Sequence, residues 1–134
     1  MTKISCLLLL TIFFITCSSN SKDLTWKLSI ENKTKLEVSI SRQLNFPLVK
    51  ILRAYKYEEW SLFYVDTHET DEVFLFYKSN PFLNKYESLW SGVALKTEKE
   101  QIRNWTVKNI PGIPSALVDC FVEQAISKTR SISK

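Results

Sequence analysis

Three apolar runs, residues 60–65, 73–77 and 89–95, leave this chain the least freedom. Each is short, rich in aromatic and β-branched side chains, and bounded by polar residues, which predicts strands. The middle run is apolar at every position but its ends are polar, so it is expected to be buried on both faces. Ser79-Asn80-Pro81 ends it, because proline disfavours helical geometry before it and cannot donate to a ladder. A sheet of this kind needs cover on both sides. The supply is adequate: 45% of residues are hydrophobic and 13% aromatic, enough to offset chain entropy and exclude disorder for most of the chain. With only Gly92 and Gly112, phosphate-cradling glycine loops are excluded.

The flanking segments supply the remaining elements. Residues 26–31 alternate, with Trp26, Leu28 and Ile30 on one face, and residues 36–41 repeat the pattern after a polar connection at 32–35. Two period-2 segments around a short polar loop predict a β-hairpin. In residues 46–57, Leu48, Ile51, Leu52 and Tyr55 follow helical spacing with Pro47 in the first turn, which favours a short helix. A strand with Val49, Ile51 and Tyr55 inward is the alternative. Thr97-Glu98-Lys99-Glu100 matches a capping box opening a helix whose apolar side carries Ile102 and Trp105. Residues 109–114 stop it, and Pro114 opens a second helix. There Leu117, Val118, Cys120, Phe121, Val122, Ala125 and Ile126 leave only a narrow polar stripe of Ser115, Asp119 and Glu123, so this helix is expected to be largely buried. Residues 128–134 read as a frayed basic end. The expectation is an α+β domain over residues 24–134. It has a small, mainly antiparallel sheet of about five strands, one short middle helix, and two C-terminal helices packed on the sheet.

Ahead of this domain, Met1-Thr2-Lys3 is a short positive segment, and residues 4–16 are uncharged. Thirteen residues fall short of the roughly 20 that a membrane-spanning helix needs, so residues 1–16 read as a signal peptide. Phe14-Ile15-Thr16-Cys17 resembles the lipobox of bacterial lipoproteins. That resemblance implies cleavage before Cys17, acylation of its sulfur, and a flexible tether over residues 17–23. It also implies a periplasm-facing address in the cell envelope, with Ser18 after the cysteine favouring the outer membrane. Ordinary cleavage near Ser18 or Ser19 would instead release a soluble secreted protein. Cys6 belongs to the leader. Acylation of Cys17 would leave Cys120 alone, whereas an unmodified Cys17 makes a Cys17–Cys120 bridge available.

Chemistry-bearing clusters are few. Asp66, His68, Glu69, Asp71 and Glu72 gather carboxylates around the only histidine, and Asp66, His68 and Asp71 are the weak candidates for a metal site or a general-base pair. The competing reading is a solvated hairpin connection. Cys120 with His68 forms a conceivable thiol–imidazole pair, although Cys120 lies on an apolar helix face where cysteine acts as a small hydrophobe. Ser91 precedes Gly92, but Leu89 and Val93 break the nucleophile-elbow frame, and Gly92 is expected to admit a closely packed neighbour. No cofactor motif is present. Loss of residues 1–16 removes only Lys3 from the 18 basic residues, leaving a net charge of +3 against 14 acidic ones. That excess is too slight to predict nucleic-acid binding. Aromatic residues are dense, and Trp60, Tyr64, Phe76 and Trp90 are the candidates for partner contact, rimmed by Lys56, Lys78, Lys85, Glu58 and Glu59. The expected function is therefore a non-enzymatic envelope binding module that recognises a protein partner, as an accessory, inhibitor or immunity-type protein. A small envelope hydrolase or metal-dependent enzyme using residues 66–72 is the alternative.

Overall fold

In the computed structural model, residues 17–19 and 22–132 are described, so the expected leader lies outside the described residues. The first two apolar runs form strands, β4 (Trp60–Asp66) and β5 (Val73–Lys78), and the third contributes β6 (Ser88–Ser91), with residues 92–95 outside the strand. With β3 (Lys50–Tyr57) they make an antiparallel sheet in the order β3-β4-β5-β6. The class is α+β as expected, with four strands in this sheet rather than five. Val73 to Tyr77 are all buried, as anticipated for a strand covered on both sides.

The hairpin expected over residues 26–41 is a helix instead, α1 (Ile30–Leu44). Three local features outweigh the alternating pattern. The Ser29 hydroxyl accepts from the Asn32 N–H at 3.1 Å as an N-cap. Lys35 pairs with Glu31 and Lys33 with Glu37, each one helical turn apart. Leu36 and Ile40, four apart, are the two residues the helix buries, while Val38 between them is 46% exposed. A strand would have put all three on one face. Asn45 closes the helix in the left-handed conformation (φ 58), and the Phe46 N–H donates to the Ser41 carbonyl.

The short helix expected at 46–57 is corrected in the opposite sense, to strand β3. Val49, Ile51 and Tyr55 are all inward, but not on one face. A register shift between Ile51 and Arg53 turns the strand over, so Ile51 and Ala54 pack on the α1 side and Tyr55 on the other. At the shift, the Ile51 N–H donates to the Glu37 carboxylate of α1 at 3.0 Å.

The opposite face is covered by α2 (Lys99–Asn109) and α3 (Ser115–Ile132). Ahead of α2, Glu98 rather than Glu100 reaches back, accepting from the Leu95 N–H at 2.7 Å, and Thr97 makes no cap bond. The polar stripe of α3 serves α2: Asp119 accepts from Arg103, and Glu123 lies 3.9 Å from Lys99. Helix α3 runs on to Ile132 where a frayed end was expected. Phe121 is its central anchor, meeting Phe74, Phe76 and Trp90 edge-on. Gly92 takes φ +114 with open space where a Cβ would stand, so it answers a backbone demand and not close packing.

Of the expected tether, residues 17–19 and 22–23 are described, and they carry backbone pairing. β1 (Ser18–Ser19) pairs with β2 (Lys22–Asp23), and the Leu24 N–H donates to the Cys17 carbonyl. Residues 24–26 then run along β3, through Lys56 N–H to Leu24 carbonyl and Trp26 N–H to Ala54 carbonyl. Cys17 is buried and joined to Cys120 of α3 as a disulfide, with Cα atoms 5.1 Å apart and 103 residues between them. A sulfur in that bond holds no lipid. This pairing is the bridge that the sequence left available to an unmodified Cys17. Among the described residues, no helix is long and apolar enough to cross a membrane.

Burial also ties stability to alkaline pH. Loss of water pushes the Tyr55 phenol up to about 12, and burial likewise raises Tyr77, whose hydroxyl donates to Gln43 Oε1 at 2.7 Å. In the unfolded chain both ionise near pH 10, so the folded state prefers the protonated forms. Their stabilisation is complete below about pH 10 and is lost as pH rises through the folded values. Tyrosinate absorbance at about pH 11 is accordingly expected to fall well short of that released on unfolding at the same pH. Equal absorbance with the fold intact would overturn this.

Candidate functional site

Leu36 and Ile40 of α1 pack in one cluster with Ile51, Val65 and Val73. Towards the β3–β4 turn, Gln43 of α1 accepts from the Tyr77 hydroxyl at 2.7 Å and donates to the Asn84 carbonyl at 3.4 Å. Beside that turn a cavity of about 320 Å³ opens, at the small end of ligand sites. Local sequence builds each wall. Trp26 is carried in by the 24–26 segment, held on β3 by the backbone bonds described above, and its ring lies 5.8 Å from that of Phe63. Phe82 comes from the 79–84 loop, which is pinned on itself. The Asn80 side chain accepts from the Phe82 N–H at 2.9 Å, and Asn84 Nδ2 donates to the Ser79 hydroxyl at 3.1 Å.

Cross-strand register sets the floor. Ser61 of β4 stands directly opposite Lys56 of β3 and Tyr77 of β5. Ser61 is 2% exposed, and its hydroxyl has no hydrogen-bond partner among the described residues. Such a group costs about 1–3 kcal/mol when left sealed and unpaired. Lys56 is exposed and lays its ammonium 4.7 Å from the centre of the Trp26 ring. The rim is the two-residue turn Glu58-Glu59, in which Glu58 adopts φ 54. A second hollow, of about 390 Å³ at the C-terminal end of α1, has no unpartnered buried polar group in its lining.

The residues expected to contact a partner divide. Trp60 (4% exposed) and Phe76 (fully buried) are sealed beneath α3 and offer no surface, a correction that follows from α3 being apolar enough to take up that side. Tyr64 and Trp90 are half-buried on the same side. Of the expected rim, Lys56, Glu58 and Glu59 do line a cavity, on the opposite face, while Lys78 caps the Trp60 ring at 5.8 Å and Lys85 the Tyr86 ring at 5.4 Å. Trp26 and Ser61 were missed. The alternating pattern of residues 26–31 assigns Trp26 to a hairpin, and nothing in a single sequence marks a serine as unpaired.

The 66–72 segment is a turn stitched to itself. Asp66 accepts from the His68 N–H at 2.8 Å and lies 3.3 Å from His68 Nδ1, and buried Thr67 bonds Thr70. Asp66, His68 and Asp71 are not brought into a ligand set; among the described residues no group of three His, Cys, Asp or Glu side chains stands ready for a metal. Cys120, committed to Cys17, is no thiol for His68 to activate. Compared with protein-family models, curated proteins and solved structures, the chain matches none.

Proposed function

We propose that this chain is an exported, non-enzymatic binding module of the cell envelope that recognises a protein partner, working through the cavity at the β3–β4 turn. One observation carries the reading: the cavity beside the β3–β4 turn, where aromatic walls, a charged rim and an unpaired buried hydroxyl meet. A packed domain gains nothing from such a place by itself, and ligand sites are concave, aromatic and furnished with a few placed polar groups. The buried Cys17–Cys120 bridge supports export, since disulfides persist in oxidising compartments. It also favours the released form over the lipid-tethered one.

Capture from an envelope extract tests this. The full chain with its bridge formed is expected to retain a protein that the Trp26→Ala variant releases, because a central aromatic contact is typically worth 2 kcal/mol or more, about thirtyfold in affinity. Val107→Ala, at an exposed site on α2, is expected to retain it unchanged. No retained protein, or equal retention by Trp26→Ala, would defeat the proposal. So would a hydrolytic activity abolished by His68→Ala, which would restore the enzyme alternative.

A further inference from the structure

We infer that the cavity at the β3–β4 turn takes one basic side chain, arginine or lysine, from the protein partner; this deepens the binding-module reading and rests on it. A cation already sits on the cavity wall, since Lys56 Nζ lies over the Trp26 ring. The chain thus supplies its own stand-in for the ligand. At the rim, neither Glu58 nor Glu59 has an ion-pair or hydrogen-bond partner among the described residues. Two carboxylates against one ammonium make this spot locally negative on a chain whose net charge is +4. Local potential of that sign gathers cations. Ser61 adds a hydroxyl oxygen with no donor to accept from.

A guanidinium fits this set because it offers donors only, in a planar fork, and stacks on aromatic faces. The carboxylates and the hydroxyl would take its N–H groups, and Trp26 and Phe82 its plane and apolar stem. Lys56 is exposed on a flexible stem, so it swings aside without backbone change. Rival ligands make the opposite demand on it. A saccharide would use Lys56 as a donor, and an acidic side chain would need it as a counter-charge while meeting repulsion from Glu58 and Glu59. The sign of the Lys56 effect therefore separates the classes.

The test titrates the full chain, bridge formed, with Nα-acetyl-argininamide and follows amide and indole N–H resonances by NMR. A Kd of about a millimolar is expected for so small a probe, with shifts confined to the Trp26 indole and residues 56–61 and 79–82. The neutral isostere Nα-acetyl-citrullinamide should produce none. Lys56→Met should lower the Kd about threefold by removing the competing cation, and Glu58→Gln with Glu59→Gln should raise it roughly tenfold. Lys56→Gln repeats the first measurement should the methionine disturb folding. The inference falls if argininamide causes no shifts, if citrullinamide matches it, if cellobiose binds in its place, or if both Lys56 variants weaken binding. Should it fall while the Trp26-dependent partner is still captured, only the ligand class is wrong; should capture fail as well, the binding-module reading falls with it.

Discussion

Replacing Cys17 and Cys120 together by alanine is expected to lower stability by about 2–4 kcal/mol, towards the upper end because the bridge closes a long loop. The 103-residue separation is nearly the whole described chain, so the bonded unfolded state is far more restricted than the open one. The bridge also fastens the β1–β2 segment to α3, where both cysteines are buried with Leu24 and Phe121. A loss of this size corresponds to a fall in Tm of roughly 10–20 °C for a domain of about a hundred residues. Thermal melts with and without reductant measure it: reductant should move the parent protein to the variant's Tm and leave the variant unmoved. Mass spectrometry of the parent should find two hydrogens fewer than the dithiol and no alkylation of Cys17. A diacylglyceryl mass on Cys17, or a variant melting within two degrees of the parent, would refute the bridged form.

Phe121→Ala is the second large effect, at about 3–5 kcal/mol. The ring is fully buried and meets Phe74 and Phe76 with centroids 5.0 Å away and Trp90 at 5.4 Å, all near perpendicular. Truncation loses that transfer free energy, the edge-to-face contacts, and the fit between α3 and strands β5 and β6. Denaturant unfolding gives the magnitude, with Trp90 emission as a local reporter. Phe121→Leu should recover much of the loss because it refills most of the volume. A cost below about 1 kcal/mol for the alanine variant would mean that α3 is not the principal cover of that face.

Not all of this was visible in the chain alone. Residues 60–65 and 73–77 could only be strands, because short aromatic and β-branched runs, with Ser61 the one polar residue among them, must be buried on both faces. Residues 115–126 could only be a buried helix, since apolar side chains appear on every side but one. Residues 26–41 mislead because Leu36, Val38 and Ile40 satisfy two periods at once. The helix wins through the Ser29 cap and the Glu31–Lys35 and Lys33–Glu37 pairs, local bonds that leave Val38 outside. Residues 50–57 mislead for the complementary reason. A strand turned over by a bulge buries residues on both faces, and its spacing imitates a helix.

Sequence by itself determined that the chain folds around an antiparallel sheet backed by two C-terminal helices. It also determined that these 134 residues, with two glycines and one histidine, hold no glycine-built phosphate loop and no histidine cluster. Tertiary structure alone decided the partner of Cys17, the burial of Trp60 and Phe76, and the meeting of Trp26, Lys56 and Ser61 at one cavity. Those facts depend on which face each strand presents and which helix packs on it. Both follow from long-range packing, where burial of the whole core outweighs the preference of any single segment.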